Sequence, residues 1–427
     1  MNKIPAKNLR ILKTADLLIP LSAALIICRS FDIVGYFYFA AIPVLLFAFW
    51  ELLTNQKKIL SDPSFKFVVL FCLMFGIWAI FTSIWSPLPS VSASRGVYFI
   101  LISVSSVYLG YLWCSSKNSI MLSFLIPSNI VVVTISVISL VFSIPEDSWT
   151  GGHGLGFKGY AVHQNMLASV IVFTVPGIML PILREFILST KNNLINRRIV
   201  FLLILLLLNV YLLIISASRG GLLSFLLMAI IFYLLILNWK WKIILIISVS
   251  ILSFTSFNLN VFVHEFIMKT EKYIGDRRID NIKETIIAAK EGALIGIGYG
   301  ISKPPSSERT QGRFEQEGKL YIREKMISTL AIIEETGLVG LILFASPIFL
   351  ILNLLIKVLR CDKRNKMNYF YKEKKINTAF MISAIVALCF HAQIEAWWIG
   401  VGSIQLPLFF MFCGNAIGII NDHSLDL

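Results

Sequence analysis

Long apolar runs separated by short polar connections dominate this chain of 427 residues. The runs are continuous rather than alternating, as in 201–210 (FLLILLLLNV), which favours helices over the alternating strands of a membrane barrel. Because a spanning helix needs about 20 mainly apolar residues, the pattern predicts about 12 spans. They lie at about 15–29, 33–50, 67–85, 96–113, 119–143, 165–183, 199–215, 220–238, 243–259, 327–356, 377–394 and 400–420.

These runs predict an all-α, polytopic membrane protein of about 12 transmembrane helices with one large outer loop domain. Residues 1–259 would hold helices one to nine and a glycine-rich outer loop at 144–164. Residues 260–326 would form the large outer loop, and 327–427 would hold the last three helices. A cleaved signal peptide is another interpretation of the first run, but no small-residue cleavage site with a polar continuation follows it.

Composition excludes a soluble globular protein, because 57% of the residues are hydrophobic and the mean hydropathy is +0.80. The formal net charge is +14. With both termini in the cytoplasm, most lysines and arginines of the short connections fall on the inner side, as the positive-inside rule requires. The short outer connections then hold only Arg29, Arg95, Lys158 and Arg219.

The large outer loop contains one segment with helical periodicity. Isoleucines at 279, 282, 286 and 287 would lie on one face of an amphipathic helix ending near Gly292. The following Gly296–Gly300 (GIGYG) is a weak candidate for a phosphate loop, because no strand precedes it and no Gly-Lys-Ser/Thr follows. The six cysteines avoid the two large outer loops, so neither a disulfide framework nor a metal cluster is expected.

The pentapeptide Ser-Ala-Ser-Arg-Gly occurs at 92–96 and again at 216–220, each time as an expected turn just before an outward-facing helix start. The planar guanidinium groups of Arg95 and Arg219 suit two phosphate oxygens. The serine hydroxyls and the free N–H groups of a helix start add anion donors. The alternative is an arginine whose charged end extends from a helix end to the membrane surface. We favour phosphate binding for Arg219, and both interpretations stay open for Arg95.

Three further cations are candidates for binding a phosphate group. Arg277 and Arg278 stand just before the amphipathic helix, where a solvated pair of loop residues is the alternative. Lys158 lies in the glycine-rich loop.

Three residues are candidates for proton transfer. His163 starts an outward helix, where a hydrogen-bonded interfacial histidine is the alternative. His391 and Glu395 lie four residues apart at the outer end of a helix, where they form either a mutual ion pair or a site in which Glu395 is a general base. The neighbouring tryptophans at 397 and 398 would then stack on a sugar or anchor the membrane interface.

Adjacent carboxylates at Glu334 and Glu335 cannot both face lipid. At least one should point into a polar cavity or cap an internal break at Gly337. Glu335, Lys325 and Asn165 are the expected supporting residues of the site.

Taken together, the motifs resemble the O-antigen ligase and O-antigen polymerase superfamily of bacterial envelope enzymes. His163-Gln-Asn-Met-Leu-Ala is similar to the family's His-Lys-Asn-x-Leu-Gly, and Leu330 to Gly340 is similar to Leu-x-x-x-x-Glu-x-Gly-Leu-x-Gly. The Ser-Arg-Gly turn at Arg219, and Arg278 followed by the GIGYG segment, complete the set. The resemblance covers roughly 150–350 well.

This resemblance implies an enzyme of the bacterial plasma membrane with an outward-facing active site. It would pass an oligosaccharide from an undecaprenyl diphosphate carrier to an acceptor hydroxyl, with Arg219 and Arg278 as the diphosphate-binding pair. The implied partners are the lipid-linked donor, a glycan or glycolipid acceptor, membrane lipid and the polysaccharide assembly machinery. No nucleic acid, nucleotide or metal cofactor is expected.

One departure from the family pattern concerns the general base. Ligases of the superfamily carry a His-Asn pair at the start of the tenth helix, where this chain has Met326 and Ile327. Either Glu395, His391, Glu324 or His163 takes the acceptor proton, or the chain is a polymerase. We therefore expect polymerisation of repeat units, with ligation to lipid A core or another anchor as one alternative and a lipid-linked oligosaccharide flippase as another.

Overall fold

The computed structural model describes residues 16–22, 34–54, 62–115, 121–145, 147–149, 156–161, 163–188, 197–237, 275–302, 325, 327–361, 369–400 and 403–424. Within these ranges the regular structure is helical, and the one strand-like pairing is an isolated bridge between Trp149 and Phe157. The helices are α1 (Val34–Thr54), α2 (Pro63–Phe81), α3 (Pro89–Ser115), α4 (Leu125–Phe142), α5 (Gln164–Thr174), α6 (Pro176–Leu188), α7 (Arg197–Ile215), α8 (Arg219–Ile236), α9 (Gly275–Gly292), α10 (Ser328–Cys361), α11 (Tyr369–Ala392) and α12 (Gln405–Ser424).

Eight segments of the described chain are long and apolar enough to cross a membrane, which confirms the predicted all-α, multi-pass class. They are Pro63–Ile84, Pro89–Cys114, Leu125–Phe142, Gln164–Leu188, Arg197–Ile215, Arg219–Ile236, Ser328–Arg360 and Lys372–Ala392. The predicted run at 243–259 and most of 15–29 lie outside the described residues. The total of 12 spans and the large outer loop therefore remain predictions.

Close packing of α3 on α12 forms the centre of the bundle. A Cβ at Gly110, Gly414 or Gly418 would collide with the partner helix, at Met411, Val107 and Cys114 respectively. Small residues let two membrane helices approach until their backbones touch. The three glycines at the contact between α3 and α12 therefore determine how closely these two helices pack.

A buried amide pair ties α4 to α7. Asn129 and Asn209 are fully buried, and each donates its side-chain N–H to the carbonyl oxygen of the other, at 2.9 and 2.8 Å. Asn129 also donates to the hydroxyl of Thr174 at the end of α5 (2.9 Å). Such bonds between membrane helices are each worth about 0.6–2 kcal/mol, so this cluster fixes the register of α4, α5 and α7.

The two ends of the bundle differ in their contents. At one end of the bundle, contacts connect the last residues of some helices with the first residues of others, and most of the candidate residues lie there. The helices that end there are α2, α4, α7 and α11, and those that begin there are α3, α5, α8 and α10. We call it the site end. At the other end, Arg184 pairs with Glu373, and Asn421 bonds to Asp62 at the start of α2.

The two copies of Ser-Ala-Ser-Arg-Gly fold differently, which corrects the expectation of two turns. The copy at 92–96 lies inside α3, which begins earlier than predicted because Pro89 favours a first helical position. The copy at 216–220 is a turn, with Ala217 at φ 50° and Arg219 as the first residue of α8. Identical sequences therefore give a helical Arg95 and a helix-start Arg219.

Candidate functional site

The centre of the site end is a break inside α10. Gly337 has φ 72° and ψ −175°, which no helix contains. The break leaves carbonyl groups without helical partners, and the Gly296–Gly300 segment, here called the docked loop, supplies the donors. The N–H groups at its second and third positions donate to the carbonyl oxygens of Glu334 (2.9 Å) and Glu335 (3.0 Å).

Glycine is required at both surfaces of this contact. The docked loop has φ values of 75° at Gly296, 128° at Gly298 and 80° at Gly300. Residues with a Cβ avoid this region, and a Cβ at Gly337 would also collide with the carbonyl of Leu294. The carboxylates at 334 and 335 therefore lie beside an internal break, one of the two arrangements that their sequence position predicted.

Four charged side chains meet at the docked loop. Lys325 Nζ lies 2.5 Å from Glu335 Oε1 and 3.4 Å from Glu334 Oε2, and all three side chains are almost completely buried. Glu335 Oε2 accepts the N–H of Gly300 (2.7 Å). Arg95 Nη1 donates to the carbonyl oxygen of Gly300 (3.1 Å). The two buried carboxylates are thus paired with the buried Lys325 ammonium group, and the half-buried Arg95 lies on the other side of Gly300.

The first Ser-Ala-Ser-Arg-Gly copy holds the docked loop from the α3 side. The Arg95 side chain passes so close to Gly300 that a Cβ there would collide with it. A Cβ at Gly298 would meet the hydroxyl oxygens of Ser86 and Ser92, which bond to each other at 2.8 Å. The structure therefore places Arg95 against protein backbone, in the role of a clamp.

The second copy contacts the glycine-rich loop and the last inter-helix turn. The N–H of Phe157 donates to the carbonyl of Ile215, just before the turn (2.8 Å). A Cβ at Gly220 would lie 2.8 Å from the side chain of Ile394. Arg219 is half-buried, and its backbone is thus brought beside the turn that carries Glu395.

His163 caps the start of α5. Its Nδ1 accepts the backbone N–H of Asn165 at 3.2 Å, and its ring is exposed. Because Nδ1 serves as an acceptor, the neutral ring carries its proton on Nε2. His163 is therefore held in place by its cap on α5, through the backbone N–H of Asn165.

His391 is buried and does not face solvent. Its Nδ1 accepts the indole N–H of Trp397 at 3.0 Å, and its side chain is 1% exposed. Trp397 and Trp398 are 4% and 6% exposed and pack on Phe173 and Phe344, with ring centroids 5.2 and 5.0 Å apart. The described contacts therefore do not support these tryptophans as a sugar-stacking surface.

Glu395 is half-buried in the turn that follows α11. Its backbone N–H donates to the carbonyl of His391 at 2.9 Å, which fixes the turn. The same turn contacts the start of α10, where the hydroxyl of Thr329 donates to the side-chain carbonyl of Gln393 at 2.8 Å. The turn thus bridges the Arg219 region and the broken helix.

Lys158 has a protein partner. Its Nζ lies 2.5 Å from Asp147 Oδ2, and the two side chains are 15% and 71% exposed. The hydrogen bond from Lys158 lowers the pKa of the Asp147 carboxyl from its ordinary value. The pair closes the base of the glycine-rich loop, so Lys158 is committed to the loop before any ligand arrives.

Helix α9 packs on α10 through small residues, and its predicted apolar face remains a prediction. Thr285, Ala288 and Ala289 are buried, and a Cβ at Gly292 would lie 2.5 Å from the carbonyl of Ile333. The isoleucines at 286 and 287 are 38% and 46% exposed, as residues of a stripe that faces the membrane surface would be in the absence of a bilayer. Spacing alone cannot distinguish a bilayer-facing apolar stripe from a helix-packing stripe of small residues.

Arg277 and Arg278 lie in the first turn of α9, where the structure describes only the backbone. At 1.5 Å per residue, Arg278 stands about 21 Å along the helix axis from Gly292, which docks on α10. The proposed pairing of Arg219 with Arg278 remains a prediction. Met326 and Glu324 lie outside the described residues.

Several residues at the docked loop were missed by sequence reasoning. The indole N–H groups of Trp78 and Trp85 donate to the carbonyl oxygens of Thr336 (2.8 Å) and Gly296 (3.0 Å). The N–H of Tyr299 donates to Thr82 Oγ1 (3.0 Å). Two tryptophans at the end of one predicted span were the available signal, since a buried indole N–H needs an acceptor. Among the described residues, no group of three or more His, Cys, Asp or Glu is placed to hold a metal ion.

Comparison with known proteins identifies one family. Residues 202–345, about a third of the chain, match the family model described as O-antigen ligase. No curated protein matches the chain. The matched region contains the Arg219 turn, α9, the docked loop and the broken part of α10, whereas His163, Arg95 and Glu395 lie outside it. Residues 202–345 therefore carry a domain similar to the O-antigen ligase family, in agreement with the superfamily that the motifs of the chain resemble.

Proposed function

We propose that the chain is a membrane glycosyltransferase that moves an oligosaccharide from a polyprenyl diphosphate carrier to an acceptor sugar hydroxyl, on the outer face of the bacterial plasma membrane. The observation that carries the proposal is the meeting of three segments at the site end. The Arg219 turn touches the glycine-rich loop through Phe157 and the Glu395 turn through Ile394. The family match to residues 202–345 supports the same conclusion.

Arg219 and Arg278 bind the diphosphate in this proposal. As the bond from the anomeric carbon to the phosphate oxygen breaks, the leaving lipid diphosphate takes the electron pair and gains negative charge. Donors held on that group stabilise the transition state more than the ground state. The start of α8 adds backbone N–H groups beside Arg219.

Glu395 is the proposed general base. It is half-buried at the site end, and its turn contacts the residue next to Arg219. The acceptor oxygen would bond to the anomeric carbon while its proton passes to the Glu395 carboxylate. His391 is a poorer base because it is buried and already accepts the Trp397 indole. His163 is exposed at the start of α5 and is the proposed contact for a sugar or phosphate oxygen.

The buried charge cluster has a positioning role. Lys325, Glu335 and Arg95 all bond to the 300–301 backbone or to one another. They therefore fix the C-terminal end of the segment that carries Arg278. Lys158 and Arg277 remain secondary candidates for phosphate contact, and neither nucleotide nor metal takes part in the proposed reaction.

Polymerisation of lipid-linked repeat units is the favoured reaction, because the start of α10 lacks the His-Asn pair of ligases. Ligation to a glycolipid such as lipid A core is the second candidate, and the family match, which is to O-antigen ligase, favours it. The two reactions share the donor and differ only in the acceptor hydroxyl.

Surface polysaccharide of variant strains tests the proposal. Arg219→Ala and Arg278→Ala should each abolish long chains while the protein stays in the membrane. Arg197→Ala is the matched control, because Arg197 also begins an apolar helix but at the opposite end. Normal polysaccharide in both arginine variants would refute the assignment. In a deletion strain, retention of a single repeat indicates a polymerase, free lipid-linked polymer indicates a ligase, and unchanged polysaccharide refutes both.

A further inference from the structure

The glycine-rich loop presents one tryptophan on a rigid support. Trp149 is 46% exposed. It forms an antiparallel bridge with Phe157, and the two rings meet edge to face with centroids 5.3 Å apart. Phe157 is fully buried, so the Trp149 indole is held at a fixed place with part of its surface open.

Hydrogen bonds around this pair fix the loop further. The N–H groups of Lys158 and Gly159 both donate to the carbonyl oxygen of Ser148, at 2.9 and 3.1 Å. The ion pair of Lys158 with Asp147 lies at the same base, and 71% of the Asp147 side chain is exposed. The same short loop therefore carries a partly open aromatic ring and, two residues earlier in the chain, an exposed carboxylate that is paired with an ammonium group.

This combination has the chemistry of a carbohydrate subsite. The C–H groups of a pyranose ring pack on an aromatic face, and its hydroxyl groups exchange hydrogen bonds with carboxylate and ammonium groups. A ring that is already immobilised loses little entropy on binding. The other tryptophans described at the site end are less suitable, because Trp397 and Trp398 are buried and Trp78 and Trp85 bond to the protein backbone.

The Trp149 ring is connected to the segment that carries Arg219, which relates it to the proposed diphosphate site. Phe157 bonds to Ile215, and the four residues from Ile215 to Arg219 span at most about 14 Å of chain. The indole is thus joined through Phe157 to the segment that begins with Ile215 and leads to the proposed diphosphate site. A glycan whose diphosphate is held at Arg219 would pass this loop if its chain extends toward it.

We propose that Trp149, with the Asp147–Lys158 pair, is a subsite that stacks on one sugar ring of the glycan, remote from the bond that is made. This inference rests on the proposed function, since the glycan is its ligand. It predicts a preference for long glycan chains, because a short acceptor would end before it reached the indole. Anchoring of the loop to the membrane interface is the competing role for an exposed tryptophan.

The test uses the full chain in lipid nanodiscs and oligosaccharides cut from the polysaccharide that a deletion strain loses. Calorimetric binding of long fragments should weaken roughly fivefold or more in Trp149→Leu, as loss of one aromatic contact implies. Trp149→Phe should retain most of the affinity, and single-repeat fragments should bind all variants equally. Trp50→Leu, at another exposed tryptophan, should change nothing.

Equal binding of long fragments to wild type and Trp149→Leu would overturn the subsite and leave the proposed function standing. Equal losses in Trp149→Leu and Trp50→Leu, or loss of Trp149→Leu from the membrane, would make the indole an anchor and also overturn it. A deletion strain that loses no polysaccharide would refute the proposed function, and the subsite with it.

Discussion

Replacing Lys325 with methionine tests the buried charge cluster most sharply. Lys325 stands opposite Glu334 and Glu335, and all three side chains are almost completely buried. Methionine has a similar volume but leaves two carboxylates against the single charge of Arg95. Removing one partner of a buried ion pair costs about 3–5 kcal/mol, because the remaining charge is uncompensated.

The expected change in melting temperature follows from the size of the chain. About 2.1 cal/mol/K of unfolding entropy per residue, applied to 427 residues, gives a loss of about 1 °C for each kcal/mol. Lys325→Met should therefore lower the Tm by about 3–5 °C. The free, buried Cys72 and Cys413 let a thiol-reactive dye follow unfolding in detergent.

Restoring the charge balance should recover part of the loss. In Lys325→Met combined with Glu335→Gln, Arg95 and Glu334 remain as one cation and one carboxylate. The double variant should be more stable than the sum of its single changes predicts, by about 1 kcal/mol or more. Lys290→Met, at an exposed lysine of α9, is the control and should leave the Tm unchanged. A Tm of Lys325→Met within 1 °C of wild type, or strict additivity in the double variant, would refute the charge-cluster reasoning.

Other substitutions separate the remaining roles. Gly337→Ala should destabilise the protein and reduce transfer, because its φ is 72° and its Cβ would strike Leu294. Gly400→Ala, whose nearest contact at 3.2 Å is tight but requires only a small shift of Ser403, should show clearly smaller effects in the same thermal and transfer assays. His163→Asn should keep the α5 cap and the Tm but lower kcat, whereas wild-type kcat would make His163 a cap only. Because the Asp147 pKa is lowered in the folded protein, the folded state binds fewer protons than the unfolded state. The ion pair with Lys158 therefore stabilises the loop fully above the ordinary carboxyl pKa. This stabilisation is lost only when the pH falls through the lowered pKa. Asp147→Asn should therefore weaken glycan binding equally between about pH 5 and pH 8, and a binding loss that varies across this range would contradict the assignment.

The helical, multi-pass architecture was predictable because hydrophobic runs of about 20 residues can only be membrane helices or core. The break at Gly337 was also within reach, since paired carboxylates in an apolar run require a polar partner or a distortion. The docking of 296–300 into that break was not predictable. It depends on the positive φ values of three glycines and on carbonyl groups that only the broken helix exposes.

The identical pentapeptides show the limit of local sequence. Copies at 92–96 and 216–220 have the same residues, yet one is helical and the other is a turn. What differs is the context, with Pro89 starting a helix before the first copy and α7 ending just before the second. Arg95 lies within a helix beside the docked loop, whereas Arg219 begins α8 beside the Glu395 turn.

The burial of Trp397 and the ion pair of Lys158 also depend on tertiary contacts, which the sequence alone does not reveal. A tryptophan that follows the end of a helix can stack on a sugar, anchor the protein at the membrane interface or lie in the core, and its sequence position does not distinguish these roles. Its contact with His391 depends on how the turn folds back on α5 and α12. Likewise, Lys158 meets Asp147 only because the loop closes on itself.

Transfer by the purified protein distinguishes a glycosyltransferase from a transporter. The wild-type chain and Arg219→Ala would be placed in vesicles with a polyprenyl diphosphate oligosaccharide, and the glycans would be measured by mass spectrometry. We expect that the wild-type chain joins oligosaccharides and releases polyprenyl diphosphate, and that Arg219→Ala is slower by about 10²–10³-fold. Movement of the intact donor across the vesicle membrane without any new glycosidic bond would contradict this expectation and indicate a flippase.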